Sequence, residues 1–188
     1  MIAPNGTRDP EAAAHPPPPH VVIVKAVIER IAAFVESVGL PCRRGTILEA
    51  TFLPGILLQD GGLVYDADKL LHPGDLLHEA GHLAVMSPER RMRARPAVGK
   101  YAAEEMMAIA WSYAAAVHLH LDPTVVFHAD GYRGGSASLI AAFSAKTPVG
   151  VPMLQWLGMT LDEKAAIAAG VAPYPAMIRW LYDGSRGR

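Results

Sequence analysis

The chain has 188 residues, 51% of them hydrophobic, which suits one compact domain with a sizeable core. Its formal net charge is −1, so bulk charge gives no ground for a nucleic-acid binder. A single cysteine, Cys42, excludes an internal disulfide and any cysteine-rich structural metal site, and a lone thiol of this kind fits a reducing compartment.

Residues 1–20 are rich in Pro and Ala and read as a tail, with 15–20 (HPPPPH) in an extended polyproline conformation. They have neither the basic start nor the apolar centre of a signal peptide. The apolar run 21–28 is too short to cross a bilayer and carries Lys25. The expectation is a soluble, cytoplasmic protein with a single domain over 21–188. Apolar residues at helical spacing predict a helix over 21–38, ended by Gly39-Leu40-Pro41. Residues 46–48 and 56–58 are short strand-like runs, 59–62 is a turn, and 63–66 returns, which predicts a small antiparallel sheet.

His72-Pro73-Gly74-Asp75 then reads as a helix start, with His72 as the cap, Pro73 in the first helical position and Asp75 in the first turn. Within that helix stands His78-Glu79-Ala80-Gly81-His82, an H-E-x-x-H pattern in an apolar run. Two histidines four apart lie on one helical face about 6 Å apart along the axis, where one tetrahedral zinc can take both. Glu79 points just off that face and can take a proton from a zinc-bound water without ligating the metal. Leu76, Leu77, Ala80, Leu83 and Ala84 form the stripe expected to be buried, with His78 and His82 on the other side.

Pro88 marks the helix end, and Arg90-Arg91-Met92-Arg93-Ala94-Arg95-Pro96 reads as a solvated basic loop. A long apolar helix is expected over 100–121, stopped by Asp122-Pro123. Gly131–Gly135 reads as a loop, 136–144 as a short helix, Thr160–Glu163 as a capping box opening a helix to Ala169, and 173–182 as a last short helix.

A catalytic zinc takes three protein ligands and leaves a position for water. No third histidine follows His82 at metzincin spacing, so an acid from the long helix is the remaining choice. Glu104 and Glu105 are the candidates, since a carboxylate in so apolar a helix is costly without compensation. Sheet, H-E-x-x-H helix, loop and acidic helix together resemble the glutamate-type zincin metallopeptidases over residues 46–121. In size the chain is similar to the minimal zincins and the ImmA/IrrE-like regulatory peptidases. In many such families the ligand glutamate opens an E-x-x-A pattern; Glu105-Met106-Met107-Ala108 fits it, so the resemblance favours Glu105. Many relatives carry Asp or Asn after that alanine to support a ligand histidine, whereas Ile109 stands here.

The resemblance implies an α+β fold, mostly helical, with the small sheet packed on the H-E-x-x-H helix and a second ligand helix. It implies a zinc metallopeptidase in which His78, His82 and Glu105 hold Zn2+ and Glu79 activates the water, acting on a peptide or protein and not on nucleic acid or membrane. Tyr132 and His128 are candidate donors to the oxyanion, and a substrate strand can lie along residues 57–65. His118 and His120 fall on different helical faces and read as peripheral. The alternative function is a zincin-like metal-binding or regulatory domain that cuts nothing. A purely structural metal site fits less well, because it needs no Glu79.

Overall fold

Pro19, whose fixed φ suits the first turn of a helix, opens α1 (Pro19–Ser37) in the computed structural model, which describes residues 18–94, 101–145 and 149–185. The helix thus starts inside what the sequence marks as tail; the remainder of that expected tail, residues 1–17, lies outside the described residues. Ile28, Ile31, Ala32 and Val35 recur at helical spacing and are buried. Gly39, at φ +93°, reverses the chain, and the amide of Leu40 donates back to Val35 O at 3.2 Å.

Three short strands follow: β1 (Cys42–Arg44), β2 (Ile56–Gln59) and β3 (Gly62–Tyr65). They lie in the order β1-β3-β2. β2 and β3 form an antiparallel hairpin across Asp60-Gly61, both left-handed as a two-residue turn of this hand requires. β1 runs parallel to β3, so the sheet is mixed rather than antiparallel. The first strand also lies at 42–44 and not at 46–48. The backbone of Ile47 is satisfied by side chains instead of a ladder: its amide donates to Asp66 Oδ2 at 3.1 Å and its carbonyl accepts from Lys69 Nζ.

α2 (Pro73–Val85) has Pro73 and Asp75 in its first turn, as the sequence predicts. His72 occupies the cap position, but its side chain makes no capping bond. Leu76, Leu77, Ala80, Leu83 and Ala84 are fully buried. The opposite side is covered as well, because α2 packs on α1, on β3 and, most extensively, on α4 (Ala102–His118). Gly74 lets the start of α2 touch the 3-10 turn Pro123–Val125; a Cβ there would lie 2.0 Å from Val125 O.

Residues 90–92, expected as the start of a solvated loop, belong instead to α3 (Pro88–Met92). Its Arg91 is buried and donates to Leu83 O and Met86 O, both at 2.8 Å, and to Tyr182 O at 2.7 Å. The first two acceptors lie at the C-terminal end of α2, where Leu83 O also accepts from the Met86 amide. Arg95 and Pro96 of that expected loop lie outside the described residues.

A second 3-10 turn (Tyr132–Gly134), α5 (Ser136–Ser144), an unanticipated α6 (Val151–Trp156) and α7 (Glu163–Ala169) complete the helices among the described residues. α7 is capped by Asp162, which accepts from Ala165 N at 2.8 Å; Thr160 instead donates to Ala176 O at 2.7 Å. Residues 173–182 form no helix. Pro173 and Pro175 supply no amide donors, and Tyr174, Ile178 and Tyr182 donate to Leu161, Met159 and Ala84. No helix among the described residues is long and apolar enough to cross a membrane.

Candidate metal centre

α2 and α4 cross where both carry small residues. A Cβ on Gly81 would stand 2.9 Å from Ala108 O and 3.3 Å from the Trp111 ring. Glycine at the fourth position of H-E-x-x-H therefore allows the backbones to approach, and the approach brings Glu104 and Glu105 over His78 and His82.

The three donor groups converge. His78 Nε2 and His82 Nε2 are 3.1 Å apart; Glu105 Oε1 is 3.5 Å from the first and Glu105 Oε2 is 3.2 Å from the second. An ion with ligands at about 2.0–2.1 Å in tetrahedral array needs donors about 3.4 Å apart, so this spacing fits one ion. The donor set, two imidazoles and a carboxylate, is also one that zinc takes at catalytic sites. Glu79 is buried, and its carboxylate lies within 4.8 Å of both histidine nitrogens, a less close approach than that of Glu105.

The other ring nitrogens face residues the motif does not contain, one within hydrogen-bond distance and one beyond it. Tyr132 Oη lies 3.0 Å from His78 Nδ1. It reaches there from a strained segment: Tyr132, Arg133 and Gly134 all have left-handed φ, at +53°, +52° and +81°. His82 Nδ1, only 2% of that side chain being exposed, faces Glu104 Oε1 at 3.8 Å, too far for a hydrogen bond. Glu104 is itself held by Arg90 Nη2 at 2.7 Å. Ile109 is part of the core. No sequence spacing links Arg90 to Glu104 or Tyr132 to His78; each contact exists only through the fold.

Electrostatics separate the two histidines. Burial, helped by the neighbouring His82, pushes His78 down to about 4 despite Glu105. Burial also opposes charge on His82, but Glu104 and Glu105 outweigh it and raise that residue to about 9. Burial lifts Glu79 to about 7, with Glu105 and Asp75 adding and His82 opposing. The Tyr132 phenol is pushed above its ordinary range by burial and by Glu105, Asp75 and Glu79, and stays neutral. A carboxyl poised near neutrality beside a cluster of metal donors can accept and return a proton.

The remaining sequence candidates sit elsewhere. His128 Nε2 is 3.0 Å from Asp75 Oδ1 rather than at the donor triangle. His118 packs on Phe34 and Trp180. β3 is paired on both sides, so of residues 57–65 only β2 offers a free sheet edge for a substrate strand. His72, His128 and Asp130 also bring donor atoms within 4.8 Å of one another, away from the donor triangle. Comparisons with protein families, with curated proteins and with solved structures find no match to the chain.

Proposed function

We propose that this chain is a zinc-dependent peptide hydrolase. The observation that carries the reading is the triangle of His78, His82 and Glu105 donors at 3.1–3.5 Å with Glu79 alongside. Bound zinc would supply Lewis acidity and bring a water molecule's pKa toward neutrality. Glu79, poised near 7, takes the proton released as water attacks the substrate carbonyl and returns it to the leaving amine. Tyr132 orients the His78 imidazole, and Glu104, fixed by Arg90, places a negative charge beside His82.

The decisive experiment is Glu79→Gln. The variant is expected to retain the zinc held by His78, His82 and Glu105 and to lose cleavage of a peptide library. Retained cleavage removes Glu79 from the reaction.

A second reading, a metal-binding domain that cuts nothing, draws support from Tyr132 and His128. Both would-be donors to an oxyanion are engaged, with His78 and with Asp75. One zinc per chain with no library peptide cut by the wild-type protein would favour it.

A further inference from the structure

The 3-10 turn at Tyr132–Gly134 runs against the handedness of an L-chain. Tyr132, Arg133 and Gly134 all have left-handed φ, and of the three only glycine takes that conformation without cost. A turn of this kind persists where its surroundings hold it.

Both ends of the turn are tied by bonds outside the donor triangle. On one side His128 Nε2 is 3.0 Å from Asp75 Oδ1, in the first turn of α2. On the other, the buried Ser136 at the start of α5 donates to His128 O at 2.7 Å. Within the turn, the amides of Gly134 and Gly135 donate to Gly131 O and Tyr132 O at 3.1 and 2.9 Å. Arg133 and Gly134 are exposed. The Tyr132 side chain is what draws the middle of the turn inward. Its ring meets Phe127 and His78 edge-on, with centroids 5.2 and 5.5 Å away, and its Oη lies 3.0 Å from His78 Nδ1.

The same imidazole turns its Nε2 to the donor triangle. An ion on Nε2 leaves the ring proton on Nδ1, which then donates to Tyr132 Oη. The ion's charge also makes that N–H a stronger donor. Occupancy of the triangle and closure of the turn therefore meet at one hydrogen bond.

We propose that the turn at Tyr132–Gly134 is a latch coupled to the metal. An ion held by His78, His82 and Glu105 tightens the bond from His78 to Tyr132 and keeps the turn closed, and the closed turn strengthens the grip on the ion. Tyr132 is a positioning residue in this scheme. The proposal rests on the three-ligand site of the proposed function but not on peptide hydrolysis. Linkage makes the two effects reciprocal: zinc slows opening of the turn by about the factor that loss of the phenol weakens zinc. A supporting bond to a ligand histidine is worth about 10–100-fold in metal affinity, which sets that factor.

The test is amide hydrogen exchange of the full-length chain, metal-free and zinc-saturated, followed by NMR at Gly134 and Gly135. Zinc affinity is measured alongside by competition with a chromophoric chelator. In the wild type, zinc is expected to slow exchange of both amides about 10–100-fold. Tyr132→Phe keeps the ring and removes only the hydroxyl. Its zinc affinity is expected to fall by the same factor, and zinc is expected no longer to slow these two amides. The wild-type comparison needs no variant: bound zinc that leaves Gly134 and Gly135 unslowed overturns the latch and leaves the proposed function standing. Slowing that persists undiminished in Tyr132→Phe overturns it too. A chain that binds no zinc, or whose zinc survives His78→Ala/His82→Ala, overturns the latch and the three-ligand site together.

Discussion

Glu104 and Glu105 are neighbours in sequence yet meet different atoms: Glu105 approaches the two Nε2 atoms, and Glu104 faces His82 Nδ1 from a side chain only 5% exposed. Glu105→Gln is expected to remove a direct donor and cut zinc affinity by more than a hundredfold. Glu104→Gln, acting through His82, is expected to cut it about 10–100-fold. Competition with a chromophoric chelator measures both, and equal losses would sink the assignment of roles. The same assay carries a pH prediction. His78, near 4, is already neutral at pH 7, whereas His82, near 9, holds a proton that the metal must displace. Affinity therefore rises about tenfold per pH unit from 6 toward 9 and then levels, with about one proton released per ion at pH 7. Cys42 is 3% exposed, and burial together with Glu36 and Glu29 pushes its thiol to about 12. Iodoacetamide at pH 8 is expected to leave it unmodified in the folded protein and to label it in denaturant, as mass spectrometry can read.

At the scale of the elements, Gly81 sets the distance between α2 and α4. Gly81→Ala gains up to about 1 kcal/mol of helix propensity. It also forces a Cβ to 2.9 Å from a backbone oxygen, an overpacking that costs about 1–3 kcal/mol. Overpacking wins, and a net loss of about 1–2 kcal/mol is expected in urea denaturation, with weaker zinc binding as the donors part. α2 is legible because a proline and an acid in its first turn and a 3.6-residue apolar period agree locally, and that agreement also exposes His78, Glu79 and His82. Where distant partners decide, the local pattern misleads. Ile47 looks like strand but is held by Asp66 and Lys69, and residues 173–182 look like helix but bond to Leu161, Met159 and Ala84. Glu105 was preferred to Glu104 through a family resemblance rather than a spacing rule. Tyr132 is legible as a candidate oxyanion donor but not as the partner of His78, because nothing in a sequence shows which ring nitrogen a tyrosine 54 residues away will meet.

For the whole molecule, one continuous core joins α1, the sheet, α2 and α4 without recourse to a metal. Chelation is therefore expected to leave the helical circular dichroism intact. At a free zinc concentration a hundred times Kd, binding adds about 2.7 kcal/mol. At roughly 2–4 °C per kcal/mol for a chain of this size, the melting temperature is expected to fall about 5–10 °C on chelation. Outright unfolding by chelator would instead mark a structural ion. Trp111 Nε1 on α4 donates to Trp180 O, the amide of Tyr182 donates to Ala84 O on α2, and Tyr182 O accepts from Arg91. The last stretch of the described chain is thus a stitch through both helices whose inner faces carry the donors. A nick near residue 172, or anything that tugs that thread loose, would slacken the grip on the ion from the far side, without a single ligand being touched.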